Sequence, residues 1–284
     1  DAGDLDAALG HAREAHGHAA YVNDPWWSAR TRATEAYAII ELDRLEESLA
    51  LLAAAAAGYA QSEDRRREAI ARANQALALL RLGRFEEARA GLEEAIVLSR
   101  RVGNRRTAAV ATLNLCTLRR LTDVRADLRP ALDAVERDAQ GLRFGRLVAA
   151  VRLERAWLAL RDAVAPAETT DLARAAGEAA DASRSPALIA QALTARLLAA
   201  RAAGERDPAF EAEVRAKVAR GLFAPEGAAA LAAALARLTG EADDAAEAHA
   251  RLGVFLDRAV ERGDRAACAR SFALRHALPE PSAA

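Results

Sequence analysis

Residue types that support catalysis or metal binding are present, but their spacing does not match what those chemistries require. His11, His16 and His18 lie close together, yet a helical zinc site needs two histidines four residues apart and further Cys or carboxylate ligands. Cys116 and Cys268 lie in apolar stretches without a nearby histidine that would activate a thiolate. The sequence therefore predicts no enzyme active site, no metal site and no bound cofactor in this chain.

The distribution of arginine along the chain is more informative than the positions of the histidines and cysteines. Lys217 is the single lysine among 40 basic residues, and residues 61–160 carry 20 basic against 13 acidic side chains. Two interpretations stay open: charge solvated at helix ends and partly paired with neighbouring carboxylates, or a surface that contacts an acidic or phosphate-bearing partner. The net charge of −1 and the 4% aromatic content argue against nucleic acid, which favours strong basicity and stacking platforms.

Two adjacent tryptophans follow a turn-like segment. Trp26 and Trp27 come directly after Asn23-Asp24-Pro25, which predicts a helix start. Neighbouring residues on a helix point in different directions, so we expect one indole to pack inward. The other either packs against a helix that precedes Asp1 or contacts a partner, since exposed tryptophans are frequent binding anchors.

Alanine dominates the composition and predicts helices throughout. The chain has 79 Ala among 284 residues, which favours an all-α fold. Ser185-Pro186 and Asp207-Pro208 predict helix starts, and five glycines after apolar stretches predict helix ends, namely Gly83, Gly103, Gly204, Gly240 and Gly263. About fourteen helices are expected, at residues 5–18, 26–42, 44–60, 64–82, 84–101, 104–121, 125–140, 142–161, 166–183, 186–203, 208–220, 225–239, 241–261 and 264–278. Because the connections are short, consecutive helices are expected to be antiparallel neighbours.

The segment 73–96 carries a pattern that repeats along the chain. Small residues occur at Ala76, Ala88 and Ala95, a turn at Leu82-Gly83, and larger packing residues at Phe85 and Leu92. A shift of 40 residues lands on Ala36, Leu45, Ser48, Leu52 and Ala55, and a further 40 on Leu5, Ala8, Ala12 and Ala15. The pattern resembles the tetratricopeptide repeat, with a period near 40 instead of 34, similar to the longer repeats of bacterial regulatory proteins.

The resemblance implies a right-handed superhelical stack of antiparallel helix hairpins, a single α-solenoid over residues 1–284. Recognisable repeats would cover 1–140, degenerate hairpins 141–263, and a capping helix with a tail 264–284. In that family the first helix of each hairpin lines a concave groove. Seven residues match its groove positions: Arg30, Tyr37, Ile70, Leu77, Arg81, Cys116 and Arg120.

The resemblance implies a non-catalytic scaffold that binds a peptide or a protein domain in this groove, with the arginines favouring acidic segments. An alternative is a sensory or autoinhibitory C-terminal domain of a larger bacterial signalling enzyme, a Ser/Thr kinase or an ATPase-linked transcription regulator, that binds its own upstream domains. A third hypothesis is homo-oligomerisation through an exposed face with Leu5 and Leu9. The absence of Met and the half-repeat at the start predict a piece of a longer chain.

The setting predicted from the sequence is the cytoplasm, without a membrane partner. The longest apolar runs, 49–60 and 227–236, are shorter than the ~20 residues that span a bilayer. Two distant cysteines do not form a disulfide framework, and no signal peptide is evident.

Overall fold

The computed structural model describes residues 2–41 and 44–261, and these residues form helices without a β-strand. The thirteen described helices are α1 Ala2–Val22, α2 Pro25–Glu41, α3 Leu45–Gln61, α4 Arg65–Arg81, α5 Phe85–Arg101, α6 Arg105–Thr122, α7 Arg129–Gly141, α8 Gly145–Arg161, α9 Pro166–Ser183, α10 Pro186–Ala203, α11 Pro208–Ala219, α12 Pro225–Thr239 and α13 Ala242–Glu261. The all-α prediction is confirmed. The helix expected at 264–278 and the end expected at Gly263 lie outside the described residues.

The chain forms two compact units, residues 1–131 and 132–284. In the first unit, each helix from α1 to α6 packs against the next one, and α4 also contacts α6. In the second unit, α9 packs between its sequence neighbours α8 and α10, and α12 packs against α10, α11 and α13. Consecutive helices therefore pack together over α1–α6, α8–α10 and α11–α13, as their short connections predict.

Helix ends follow the local chemistry of the sequence. Asp207 accepts hydrogen bonds from the backbone N–H groups of Ala209 and Phe210, so its side chain caps α11. Pro186 begins α10 as predicted, but the Ser185 side chain makes no capping hydrogen bond. The four predicted glycine ends within the described residues have positive φ values, as a left-handed terminal residue requires.

The 40-residue spacing is visible in the helix bounds and in the buried residues. α2 and α4 each have 17 residues and are offset by 40, and the same holds for α3 and α5. The offset continues through α6 to the start of α8 at Gly145, beyond the end of the recognisable pattern at residue 140. Two series of small side chains are buried at this spacing: Ala29, Ala69, Ala109 and Ala149, and Ala36, Ala76, Cys116 and Ala156.

α1 departs from the predicted register. Ala12 is buried as expected, but Ala8 and Ala15 are exposed. α1 packs against α2, and the face that it turns to this neighbour includes Leu9, which is 4% exposed and packs with Ala38 and Ile39. The prediction of an exposed Leu9 for self-association is therefore wrong, and the side chain of Leu5 lies outside the described residues.

Among the described helices, none combines the length and the apolar character that crossing a bilayer requires.

Candidate functional site

Three of the seven predicted groove residues meet in one cavity of the first unit. Arg30, Tyr37 and Ile70 line a cavity of about 240 Å³. Its remaining wall is formed by Ala33, Thr34, Tyr59 and Arg67. These seven residues define the α2–α4 pocket, which combines two guanidinium groups, two phenol hydroxyls and a small apolar surface.

The pocket takes its shape from the packing of three helices. α2 contributes Arg30 and Tyr37, which lie on one face because they are seven residues apart. α4 contributes Arg67 and Ile70, and α3 contributes Tyr59. A close approach of α2 and α3 places Tyr59: a Cβ atom on the preceding Gly58 would lie 2.8 Å from the Cβ atom of Ala29. Only a residue without a side chain fits at this contact.

The Trp26 ring lies next to both guanidinium groups of the pocket. Its ring centroid is 5.5 Å from the Cζ atom of Arg30 and 5.0 Å from the Cζ atom of Arg67. The Trp27 ring stands perpendicular to it, with centroids 4.8 Å apart, and is 5.9 Å from the Arg30 Cζ atom. The negative face of an indole attracts cations, so the two rings stabilise both guanidinium groups in place.

Asp64 fixes Trp26 and Arg67 relative to each other. Its Oδ2 atom accepts a hydrogen bond from Trp26 Nε1 at 3.0 Å and another from Arg67 Nη1 at 2.6 Å. Its Oδ1 atom accepts from the backbone N–H of Arg67 and caps α4. Burial alone would raise the pKa of Asp64, but these hydrogen bonds lower it below its usual value. Asp64 is therefore ionised at neutral pH, and its charge is already engaged.

Arg30 has no such partner. In the part of the chain that the structure describes, its contacts are the two indole rings, and no carboxylate forms an ion pair with it. The lining of the pocket therefore includes two guanidinium groups and no carboxylate, and the neighbouring Asp64 pairs with Arg67. The surplus positive charge makes the pocket attractive to an anion.

The two tyrosines act as hydroxyl donors at physiological pH. Although 39% of Tyr37 is exposed, enough protein surrounds it for burial to raise its pKa, and a hydrogen bond with the Asn74 side chain opposes this only in part. Burial also raises the pKa of Tyr59, and the nearby Tyr37 adds to this effect. Both phenols stay protonated, so the polar groups of the pocket are predominantly donors.

The other four predicted groove residues lie elsewhere in the first unit. Leu77 packs against the buried cluster of α4, α5 and α6. Cys116 is 3% exposed, and Arg81 and Arg120 are half-buried and interact with other groups of the chain. Their role in partner binding stays a prediction.

The sequence pattern does not predict Tyr59 and Arg67 as lining residues of the pocket, nor Trp26 as the ring that contacts both of its guanidinium groups. The repeat resemblance assigns the groove to first helices, whereas Tyr59 lies on a second helix, α3. The spacing in the sequence does indicate a position for Arg67: it precedes Ile70 by three residues and follows the capping Asp64 by three, and residues three apart are neighbours on a helix surface.

His16 and Arg65, from the histidine cluster and the basic middle region, each contact another residue of the chain. The ring Nδ1 atom of His16 lies 3.0 Å from the Thr31 hydroxyl. No three His, Cys, Asp or Glu side chains of the described ranges come close enough to hold a metal ion. In the basic middle region, Arg65 pairs with Glu68 at 2.8 Å, which is the partial pairing that one of the two interpretations expects.

Comparison with known proteins adds no family assignment: no sequence model of a protein family matches this chain, and no curated protein is significantly similar to it. The functional inference therefore depends on the pocket and its residues.

Proposed function

We propose that this chain is a non-catalytic binding module whose α2–α4 pocket captures an acidic segment of a partner protein or peptide. The observation that carries the proposal is the arrangement of Arg30 and Arg67 around Trp26, with Arg30 lacking a carboxylate partner among the described residues. An anion bound there would gain charge-assisted hydrogen bonds from two guanidinium groups.

The surroundings of the pocket suit a protein ligand. Trp27 is 50% exposed beside Arg30, and tryptophan and arginine are the residue types most often found at the energetic centre of interfaces. Ala33 and Ile70 add apolar surface to the cavity, which would contact the aliphatic part of an acidic side chain. A segment that carries both charge and hydrocarbon fits this combination.

We also propose the class of protein and the cellular location that the sequence predicts. Hairpins spaced by 40 residues, with small residues buried at equivalent positions, support a place among tetratricopeptide-like repeat scaffolds. Repeat scaffolds of this kind present extended binding surfaces. We place the module in a bacterial cytoplasm, with any catalysis carried out by other parts of a parent protein.

A charge reversal in the pocket tests the proposal. A fluorescein-labelled, glutamate-rich peptide is titrated with the wild-type chain and with Arg30→Glu, and binding is followed by fluorescence anisotropy. We expect Arg30→Glu to weaken binding by about tenfold or more, because a ligand carboxylate would then face a like charge.

Arg32→Glu is the matched control, because Arg32 lies on the same helix and does not line the pocket. It changes the net charge by the same amount and should alter affinity only slightly. Equal losses in the two variants would indicate unspecific electrostatic attraction. No binding by the wild-type chain would exclude the acidic-segment proposal.

A further inference from the structure

The hydrogen-bond donors of the α2–α4 pocket approach from three different helices. Arg30 and Tyr37 come from α2, Tyr59 from α3 and Arg67 from α4. A guanidinium group has N–H donors and no acceptor, and a protonated phenol supplies an O–H donor. The hydroxyl of Thr34, which also lines the pocket, donates to the backbone oxygen of Arg30 at 3.0 Å. The pocket therefore favours a ligand group that only accepts hydrogen bonds.

The number and directions of these donors distinguish between acceptor groups. A carboxylate has two oxygens in one plane and a single charge. A phosphate monoester has three terminal oxygens in tetrahedral directions and a charge of about −1.5 to −2 at neutral pH. Donors on three helices around one cavity match the tetrahedral group better than the planar one.

The available space fits the same group. A cavity of about 240 Å³ accommodates a phosphate together with the first carbons that carry it. Ala33 and Ile70 provide the apolar contact for these carbons. Arg30 and Arg67 both line this cavity, so both guanidinium groups are available to the same ligand group.

We infer that the group received by the α2–α4 pocket is a phosphate monoester on a partner polypeptide, and the module thus recognises a phosphorylated side chain. This inference rests on the proposed function, because it specifies which anion the pocket selects. Clusters of arginines are the usual means by which proteins recognise phosphorylated segments.

The charges around the pocket do not change near neutral pH, so the pH dependence of the affinity can identify the ligand group. The titratable groups that face it from α2, α3 and α4 are Arg30, Tyr37, Tyr59, Arg67 and the paired Asp64. The lowered pKa of Asp64 and the raised pKa values of both tyrosines keep their charges constant between about pH 5.5 and 7.5.

Two ionisable groups of the neighbouring helix α1 have contacts outside the pocket. Arg13 pairs with Glu35 and His16 contacts Thr31, and Glu35 and Thr31 do not line the pocket. A phosphate monoester changes charge near its second pKa of about 6. A change of affinity across this pH range therefore reports on the ligand.

The experiment uses three degenerate peptide pools that differ only in a fixed central residue: phosphoserine, glutamate or serine. Binding of each pool to the 284-residue chain is measured through tryptophan fluorescence and by calorimetry. At pH 7.5 we expect the phosphoserine pool to bind about tenfold more tightly than the glutamate pool. This preference should decrease towards pH 5.5, and inorganic phosphate should compete with the phosphoserine pool.

Two variants assign the preference to the pocket. Arg30→Glu should abolish binding of the phosphoserine pool. Tyr59→Phe keeps the buried ring and removes one donor, so it should reduce the ratio of phosphoserine to glutamate affinity several-fold without unfolding α3. An unchanged ratio in Tyr59→Phe, or an unchanged phosphoserine affinity in Arg30→Glu, would overturn the inference.

Failure of the inference and failure of the proposed function give different results. Glutamate and phosphoserine pools that bind equally, and that both lose affinity in Arg30→Glu, overturn phosphate selection and leave acidic-segment binding intact. Binding of inorganic phosphate or of a ribonucleotide without binding of any peptide pool overturns the assignment to a polypeptide. No binding of any probe overturns both proposals.

Discussion

Trp26 allows two like charges to lie close together. Without it, the guanidinium groups of Arg30 and Arg67 would repel each other across the cavity, with Asp64 compensating for only one of them. The indole offers its negative face to both cations and its N–H group to Asp64. One side chain thereby contacts both guanidinium groups before any ligand arrives, which reduces the ordering cost of binding.

Single buried alanines determine how closely the hairpins of the first unit pack. Ala88 on α5 is fully buried, so Ala88→Arg would force a long charged side chain into a close helix contact. We expect this substitution to lower the free energy of unfolding by about 3 kcal/mol through overpacking and charge burial. Urea unfolding followed by circular dichroism measures the change.

Ala90→Arg is the control for this substitution, because Ala90 lies on the same helix and is exposed. The same change of side chain there should alter stability by less than about 0.5 kcal/mol. If both variants were equally stable, the packing register of α4, α5 and α6 would be incorrect.

The sequence predicts core residues better than pocket residues. Ala76, Leu92 and Ala95 follow from residue size and spacing, and all three are buried. Arg67 is different, because an arginine near a helix start is equally compatible with solvent exposure. Its position beside Trp26 depends on side-chain conformation and on contacts between α2 and α4, which local patterns do not encode.

The contact between α2 and α3 depends on a residue without a side chain. A Cβ atom at Gly58 would lie 2.8 Å from Ala29 Cβ and 3.0 Å from the backbone oxygen of Pro25. Neither atom belongs to a flexible side chain, so Gly58→Ala would push α2 away from α3. We expect a net loss of about 1–2 kcal/mol, since overpacking outweighs the gain in helix propensity.

Gly177→Ala is the matched comparison on α9, where nothing lies within 4 Å of an added Cβ atom. There the gain in helix propensity should stabilise the fold by about 0.5–1 kcal/mol. Thermal unfolding of both variants shows whether each substitution lowers or raises the stability of the fold. A stabilising effect at Gly58 would show that the α2–α3 contact is looser than described.

The sequence predicts helix bounds closely where a proline begins the helix and less well where turns compete. α10 and α11 begin at their predicted prolines. α7 was expected from residue 125 but begins at Arg129, because Asp123 and Asp127 accept hydrogen bonds from the backbone N–H groups two residues ahead. Such local hydrogen bonds favour a turn over a helix, so α7 begins four residues later than predicted, at Arg129.

Arginines of the second unit form ion pairs with two buried carboxylates. Arg215 on α11 donates to Asp244 on α13 at 2.9 Å, and Arg206 donates to the buried Glu211 at 2.8 Å. Hydrogen bonding from Arg206 lowers the pKa of Glu211. Burial opposes ionisation of Asp244, but hydrogen bonds from Arg215 and Thr239 outweigh it and lower its pKa.

These shifts predict how stability depends on pH. A carboxyl whose pKa is lower in the folded state stabilises the fold above its unfolded pKa, 3.8 for Asp244, and loses this contribution as the pH falls through the folded value. We expect Asp244→Asn to cost about 1–2 kcal/mol at pH 7, allowing for the partial exposure of Arg215. The cost should shrink towards pH 3.

Urea unfolding of the wild-type chain and of Asp244→Asn at pH 7 and pH 3 measures this dependence. Asp243→Asn serves as the comparison, because Asp243 is the exposed neighbour on α13 and should show little cost at either pH. A cost for Asp244→Asn that does not change with pH would exclude the assigned ion pair as its cause.

The packing of helices on their neighbours in the chain has a kinetic consequence. Because consecutive helices from α1 to α6 contact each other, the contacts of the first unit close short stretches of chain, and chains with such local contacts fold fast. Each hairpin can form once its two helices have left the ribosome, before later residues are made. Trp26 and Arg30 can then meet Arg67 once α4 has left the ribosome, so the pocket can assemble before the later helices of this chain are made.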